Sequence, residues 1–245
     1  MKKKNEIYSS PTIIGVSGGS GAGKTTLCKE VIRHCPIDIT VISQDHYYRD
    51  MGRFSNTNKR NANYDRPEAI DNDLLLTHLQ ALKQSASVEV PEYNFKTHIR
   101  TPNHRVLHSA RVIIVEGIML FAVPELRNIC DVKVYVHVEP DIRFIRRIRR
   151  DIKSRGRSLE SVINQYLETV KAMHNKYVRP HRDQADLILN GLKLPIAVKQ
   201  FSEFIKSISE ANYDTENFNN YTILQPGTVF GIHHSEYPLT GVPKS

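Results

Sequence analysis

The chain has 245 residues, 40% hydrophobic and 24% charged, the proportions of a soluble globular protein with room for one α/β domain and a small insertion. No apolar run approaches the ~18 residues of a membrane span, and the apolar run after Lys2, Lys3 and Lys4 is too short for a leader peptide. The net charge of +8 suits nucleic acid, or a site for polyanionic small molecules beside a solvated basic face. Many of the arginines cluster around one helix, which favours the small molecules, so neither nucleic acid nor a membrane is expected as a partner. Cys28, Cys35 and Cys130 are odd in number and lack zinc spacing, so they read as reduced thiols of a cytoplasmic protein.

In chain order, Thr12 to Val16 reads as a buried strand, followed by a glycine-rich turn and a helix from about Lys24 to His34. The turn, Gly18-Gly19-Ser20-Gly21-Ala22-Gly23-Lys24-Thr25-Thr26, carries the full spacing G-x-x-x-x-G-K-[ST] between a strand and a helix. Glycines let the backbone wrap an anion with its N–H groups, and the helix N-terminus adds partial positive charge. Lys24 reaches β/γ-phosphates in such a loop, and the Thr25 hydroxyl suits Mg²⁺.

Ile39 to Ser43 is a second strand, ending at Gln44-Asp45. Met51 to Arg66 is polar, Asn-rich and without periodicity, and reads as a loop. Asp71 caps a helix to about Gln84 with Leu74, Leu75, Leu79 and Leu82 at helical spacing. Val88 to Arg105 reads as an inserted β-ribbon on which Tyr93 and Phe95 share a face. Arg111 to Gly117 is an apolar, central strand ending at Glu116; a short helix over Val123 to Asn128 and a strand over Val132 to Val138 follow.

Pro140 opens a helix to about Ser154 that carries Arg143, Arg146, Arg147, Arg149 and Arg150, with Arg155 and Arg157 at the break. Guanidinium groups suit phosphate contacts, so this helix is a candidate lid, with Arg150 a candidate for transition-state charge. Ser158 caps one longer helix to about Tyr177; Leu187 to Leu189 is the last strand and Ile196 to Ile208 the last helix. From Glu210 the composition becomes rich in Asn, Pro, Gly and His, the mark of a tail, within which Tyr221 to Phe230 is a weak edge-strand candidate.

Alternating strands and helices give an α/β fold with a mostly parallel central sheet. Ligands of such sheets bind beyond the carboxyl ends of the strands, where the loop, Asp45 and Glu116 all fall. Asp45 is the candidate general base and a carboxylate beside the metal; Glu116 reads as a ligand of Mg²⁺ or of its water.

The phosphate loop, Ser43-Gln44-Asp45-His46-Tyr47-Tyr48, Asn63-Tyr64-Asp65-Arg66-Pro67-Glu68-Ala69 and Pro91-Glu92-Tyr93-Asn94-Phe95-Lys96-Thr97-His98 together resemble the uridine kinase (uridine–cytidine kinase) family. Val115-Glu116-Gly117-Ile118, Arg146 to Ile152, Arg155-Gly156-Arg157 and Gln165-Tyr166 continue the resemblance, which spans Pro11 to Ile208. It implies a P-loop NTPase three-layer fold with an inserted β-ribbon at about 88–105 and an Arg-rich helical lid at about 140–158. The kinase domain is then 11–209, with an extension at 1–10 and a tail at 210–245. It further implies transfer of the γ-phosphoryl of ATP or GTP, with Mg²⁺, to the 5′-hydroxyl of uridine or cytidine by a homo-tetramer. Carried over, Asp45 is the base, Tyr48 lies beside the nucleoside and Asp65 holds the ribose. Tyr93 and His98 read the base, Arg147, Arg157 and Gln165 make further nucleoside contacts, and Arg150 and Arg155 contact phosphate. Arg66 and Asn94 depart from the His and Asp usual there. A phosphoribulokinase-like or pantothenate-kinase-like enzyme acting on another hydroxyl is the alternative. A regulatory GTPase is disfavoured, since Asn58-Lys59-Arg60-Asn61 ends in Asn where the guanine-reading motif needs Asp.

Overall fold

The computed structural model describes residues 10–50 and 64–211. The extension before Ser10, most of the polar stretch after Met51 and the tail beyond Ala211, with its Tyr221 to Phe230 segment, lie outside the described residues.

Five parallel strands make one sheet: β1 (Thr12–Ser17), β2 (Ile39–Ser43), β5 (Val112–Glu116), β6 (Val132–His137) and β7 (Leu187–Asn190), in the spatial order β2-β5-β1-β6-β7. The pairing Val16↔Glu116 and Ser43↔Glu116 sets the ends of β1, β5 and β2 level with one another. Two cores sandwich this sheet because neighbouring residues on a strand point to opposite faces. Ile13, Ile113 and Val115 pack with Leu75, Leu79 and Leu82 of α2 (Asn72–Lys83) and Leu126 of α3 (Pro124–Ile129). Ile14, Val16 and Ile114 pack on the other side with Leu27 and Val31 of α1 (Lys24–His34). Val198, Phe201 and Ile205 of the last helix, which runs Leu194–Ala211, complete that layer.

Where helices start follows capping chemistry. The side chain of Asp71 accepts from Leu74 N, and that of Ser158 from Ser161 N, as their spacing predicts. α1 has no side-chain cap and begins directly on Gly23, at φ 98°. Its first-turn N–H groups are therefore open to a ligand. α4 (Pro140–Arg155) begins on a proline and stops at Gly156, in the left-handed region at φ 68°.

Beyond Ser158 the predicted single α-helix is interrupted. α5 (Leu159–Gln165) passes into a π-turn at Tyr166–Val170, a short α-turn at Lys171–Met173 and a second π-turn at His174–Val178. Val162, Val170 and Val178 are all buried, a spacing longer than two α-turns, roughly 7.2 residues. The extra residue in each π-turn keeps these valines on one side.

The ribbon pairs β3 (Val88–Asn94) with β4 (Ile99–Leu107), antiparallel, outside the main sheet. At its turn Asn94 Oδ1 accepts from Lys96 N at 2.9 Å and His98 N donates to Asn94 O at 2.8 Å. His98 takes φ 58°, uncommon for a side chain of its size. Arg100 moors the ribbon, donating to Tyr48 O and Tyr47 O at 2.9 Å each and to Asp71 Oδ2 at 3.2 Å. Among the described residues no helix is long and apolar enough to cross a membrane.

Candidate active site

The carboxyl ends of β1, β2, β5 and β7 open into one cavity of about 480 Å³. The loop after β1 supplies Ser20, Gly21, Gly23, Lys24, Thr25 and Thr26 to its wall; Asp45 follows β2, Glu116 ends β5 and Gly191 follows β7. The three strand-end groups predicted to converge thus share one space.

The loop is shaped by backbone that only glycine takes easily. Gly18 and Gly21 have φ 146° and 83°, and a Cβ on Gly18 would collide with Val136 O. Gly18, Gly19 and Ala22 do not line the cavity; they form the loop's underside. A Cβ on Gly19 would strike the Arg143 guanidinium, which donates through Nε to Val138 O at 3.0 Å. Arg143, counted with the candidate lid arginines, shares the buried face of α4 with Arg147 but lies under the loop rather than on the cavity wall, with Nη2 at 3.2 Å from His174 Nε2. An arginine one turn nearer the start of α4 meets the backbone just past the end of β6 before it meets the cavity.

Lys24 is 7% exposed and donates to Gly18 O at 2.9 Å and Gly19 O at 3.4 Å. Burial pulls its pKa down, against the pull of Glu116 and Asp45. Glu116, 2% exposed, accepts on Oε1 from Thr25 Oγ1 at 2.9 Å and Ser43 Oγ at 2.7 Å. Burial raises its pKa, the Asp45 charge adds to the rise, and Lys24 and the two hydroxyls oppose it. Asp45 sits on a 3₁₀ turn, Gln44–Tyr47, that the sequence pattern did not show. Buried Gln44 ties that turn to the neighbouring elements, accepting from Met119 N at 3.0 Å and donating to Asn72 Oδ1 at 3.2 Å.

The lid arginines close the opposite wall. Arg147, nearly fully buried, donates to Ser20 Oγ at 3.2 Å and Gln165 Oε1 at 2.9 Å, and stands 3.8 Å from Asp65 Oδ1. Arg150 reaches Ser20 Oγ at 3.4 Å, and Arg157 donates to Gln165 Oε1 and to Ser161 Oγ. Asp65, 5% exposed, also accepts from Thr169 Oγ1 at 3.4 Å; burial raises its pKa although the Arg147 charge lowers it.

The remaining wall is aromatic. Tyr48 lies 5.4 Å from Tyr93 and Phe95 lies 5.1 Å from Tyr93, centroid to centroid. Tyr64 stacks on His98 at 4.9 Å. Arg155 caps the wall, its Cζ 4.1 Å from the Phe95 ring centroid. Tyr64 and Tyr93, both in the cavity lining, have hydroxyls that are buried and without a hydrogen-bond partner among the described residues.

Every residue assigned from sequence to the acceptor side, namely Tyr48, Asp65, Tyr93, Phe95, His98, Arg147, Arg157 and Gln165, lines the cavity, as do Arg150 and Arg155. Tyr64, Ile118, Arg146, Gly191 and Leu194 line it as well and were not singled out as site residues. Gly191 was within reach of the strand-end rule, since it follows β7, and Arg146 donates to its carbonyl at 3.2 Å. Among the described residues no cluster of three or more His, Cys, Asp or Glu is poised to hold a metal.

The sequence model of the Phosphoribulokinase / Uridine kinase family matches residues 13–195. The chain is 47% identical over 180 residues to the uridine kinase of Brevibacillus brevis, covering 73% of this chain and 84% of that protein. It is 41% identical over 201 residues to the uridine kinase of Clostridium perfringens, with 80% and 97% covered, and 42% identical over 203 residues to that of Chloroflexus aurantiacus, with 82% and 97% covered. A solved structure described as a possible uridine kinase from Bacillus stearothermophilus shares the fold, with a TM-score of 0.54 at 19% identity, over 74% of this chain and 89% of that one. The strand-loop-helix cradle, the carboxylates at neighbouring strand ends and the family match over residues 13–195 agree: the chain belongs to the phosphoribulokinase/uridine kinase family.

Proposed function

We propose that this protein phosphorylates the 5′-hydroxyl of uridine and cytidine, using ATP or GTP with Mg²⁺ and giving UMP or CMP. The observation that carries the reading is the single cavity that holds the phosphate loop, Asp45 and an aromatic wall together. The uridine kinases to which the chain is 41–47% identical support the same acceptor. A kinase of a non-aromatic alcohol has no use for the Tyr48, Tyr93 and Phe95 wall or the stacked Tyr64 and His98. Work as a cytoplasmic homo-tetramer belongs to this reading through the family resemblance.

In this reading the donor triphosphate lies on Gly18 to Thr26 and the α1 N-terminus, with Lys24 beside its β/γ-oxygens. Residues present fit Mg²⁺: Thr25 Oγ1 lies 2.9 Å from a buried carboxylate, and a hydroxyl with one or two carboxylates is the sparse oxygen set Mg²⁺ takes when phosphates and water complete its shell. Thr25, Glu116 and Asp45 would hold it, and it would supply charge neutralisation on the phosphates. Ser43 holds Glu116 in place by donating to the same oxygen as Thr25.

The nucleoside base lies against the aromatic wall with His98 at its edge, and Asp65 with Arg147 takes the ribose hydroxyls. Asp45 accepts the 5′-hydroxyl proton as that oxygen bonds to the γ-phosphorus and the bond to the bridging oxygen of the leaving nucleoside diphosphate breaks. Arg150 and Arg155 stabilise the charge on the transferring group, and the closed lid keeps water from competing as acceptor.

A coupled assay with MgATP and uridine, cytidine, adenosine and ribulose 5-phosphate tests the reading. Turnover with the two pyrimidine nucleosides alone is expected; turnover with ribulose 5-phosphate and none with uridine would overturn it.

A further inference from the structure

Asp151 is a carboxylate with no exposure to solvent, set among arginines on the last turns of α4. Arg150 Nε donates to its Oδ1 at 2.8 Å, Arg155 Nη1 stands 3.5 Å from the same oxygen, and Arg147 Nε stands 3.5 Å from Oδ2. Its backbone carbonyl accepts the N–H of Gly156 and, at 3.2 Å, that of Arg157. Asp151 does not line the cavity, whereas Arg147, Arg150, Arg155 and Arg157 all do.

Two physical facts make this arrangement informative. Arginines crowded on one wall repel one another, and a repelled guanidinium swings to water. A buried carboxylate is costly unless paired. Here burial would raise the Asp151 pKa, yet the Arg150 hydrogen bond and the charges of Arg150, Arg155 and Arg147 hold it below the ordinary carboxylate range. Its charge therefore persists where it opposes the crowding. The contacts are also divided: Arg150 and Arg155 take one carboxylate oxygen and Arg147 the other.

We propose that Asp151 is a positioning residue, a buried counter-ion that sets the fan of Arg147, Arg150 and Arg155 so that their guanidiniums converge on the cavity. It touches neither substrate and acts through the arginines. The inference rests on the kinase reading of the lid.

The test is a kinetic cycle on the full chain with D151N, R150Q and the double variant, using MgATP and uridine, after thermal melting has established which variants fold. Asparagine keeps the shape and removes the charge. D151N is expected to lower kcat about 10²-fold, the scale of an ångström's misplacement, with both KM values within about threefold. In the R150Q background D151N is expected to cost less than about threefold more, because the 2.8 Å hydrogen bond to Arg150 is already gone and only the two pairs at 3.5 Å, to Arg147 and Arg155, remain for it to lose. A D151N enzyme with near-native kcat, or equal losses in both backgrounds, overturns the proposal. So does a chain that carries D151N and folds in neither background, since Asp151 is then a requirement of the fold. If D151N folds only with R150Q, the double variant against R150Q decides: similar kcat sustains the proposal, and a further tenfold fall overturns it. Near-native turnover by R150Q sinks the lid reading itself, and that result is distinct from the failure of Asp151 alone.

Discussion

Lys24 lies buried with its ammonium on the loop's own carbonyls, Gly18 O and Gly19 O, and within the fields of Glu116 and Asp45. Lys24→Ala removes the cation expected beside the β/γ-phosphates without unsettling either core, so uridine phosphorylation should fall by roughly 10³-fold or more, read in the coupled assay. Asp45→Asn keeps the shape of the 3₁₀ turn and removes the proton acceptor. Its kcat should drop on the order of 10²–10⁴-fold while nucleotide still binds by calorimetry; near-normal kcat would refute the base assignment. His98 carries an unusual constraint, a φ of 58° at the ribbon turn with its ring stacked on Tyr64. Asparagine tolerates that backbone, so His98→Asn isolates the ring from the turn. The KM for uridine should rise more than the KM for ATP, and equal rises would argue against a base-reading ring.

Helices α4 and α5 show what an element adds to its residues. α4 ends because Gly156 enters the left-handed region, and a Cβ there would meet nothing within 4 Å. Gly156→Ala should therefore cost backbone strain alone, about 1 kcal/mol, a fall of roughly 2–4 °C in melting temperature for a chain of this size. Further along the rod, His174 sits on the second π-turn beside Arg143, and burial with the Arg143 charge lowers its pKa to about 4 from 6.5. A group depressed in the folded state contributes stability that is whole above the unfolded pKa and is lost as pH falls towards the folded one. Melting temperature should thus decline between pH 6.5 and pH 4, and His174→Gln, which keeps an acceptor for Arg143 and does not titrate, should flatten that decline. These π-turns were not legible in the sequence. The residues from Ser158 to Tyr177 include no Gly or Pro to mark a break, and the extra residue per turn is demanded by where Val170 and Val178 must pack, which local pattern does not encode. The regular elements were legible for the opposite reason: the apolar runs of β1 and β5 and the spacing of Leu75, Leu79 and Leu82 state their own burial.

Across the whole molecule, four of the five parallel strands, β1, β2, β5 and β7, deliver their carboxyl ends to one cavity while the ribbon and the lid, both outside the sheet, supply its other walls. Motif spacing and the strand-end rule located Lys24, Thr25, Asp45 and Glu116. The residues that hold the cavity's side chains in place, Ser43 on Glu116, Gln44 on the turn of Asp45, Asp151 on Arg150 and Thr169 on Asp65, were not assigned to the site, because each works through a contact distant in sequence or hidden by burial. Arg147 shows the consequence at this scale. One guanidinium donates to Ser20 on the glycine-rich loop at 3.2 Å and to Gln165 at 2.9 Å, and lies 3.8 Å from Asp65 on the side proposed for the acceptor. A ligand on either side that fixes this side chain lowers the cost of ordering it for the other. Binding of the two substrates should therefore be positively coupled, and linkage makes the coupling the same from both directions. By isothermal titration, a non-hydrolysable ATP analogue with Mg²⁺ should bind about fivefold or more tightly with uridine saturating than without it, and uridine should gain the same factor from the analogue. In Arg147→Lys, which cannot span the loop and the acceptor side with a planar fork, the factor should shrink towards one. Independent affinities in the unaltered protein would mean that the lid is indifferent to the nucleoside and that the two halves of the cavity, though continuous, are filled separately.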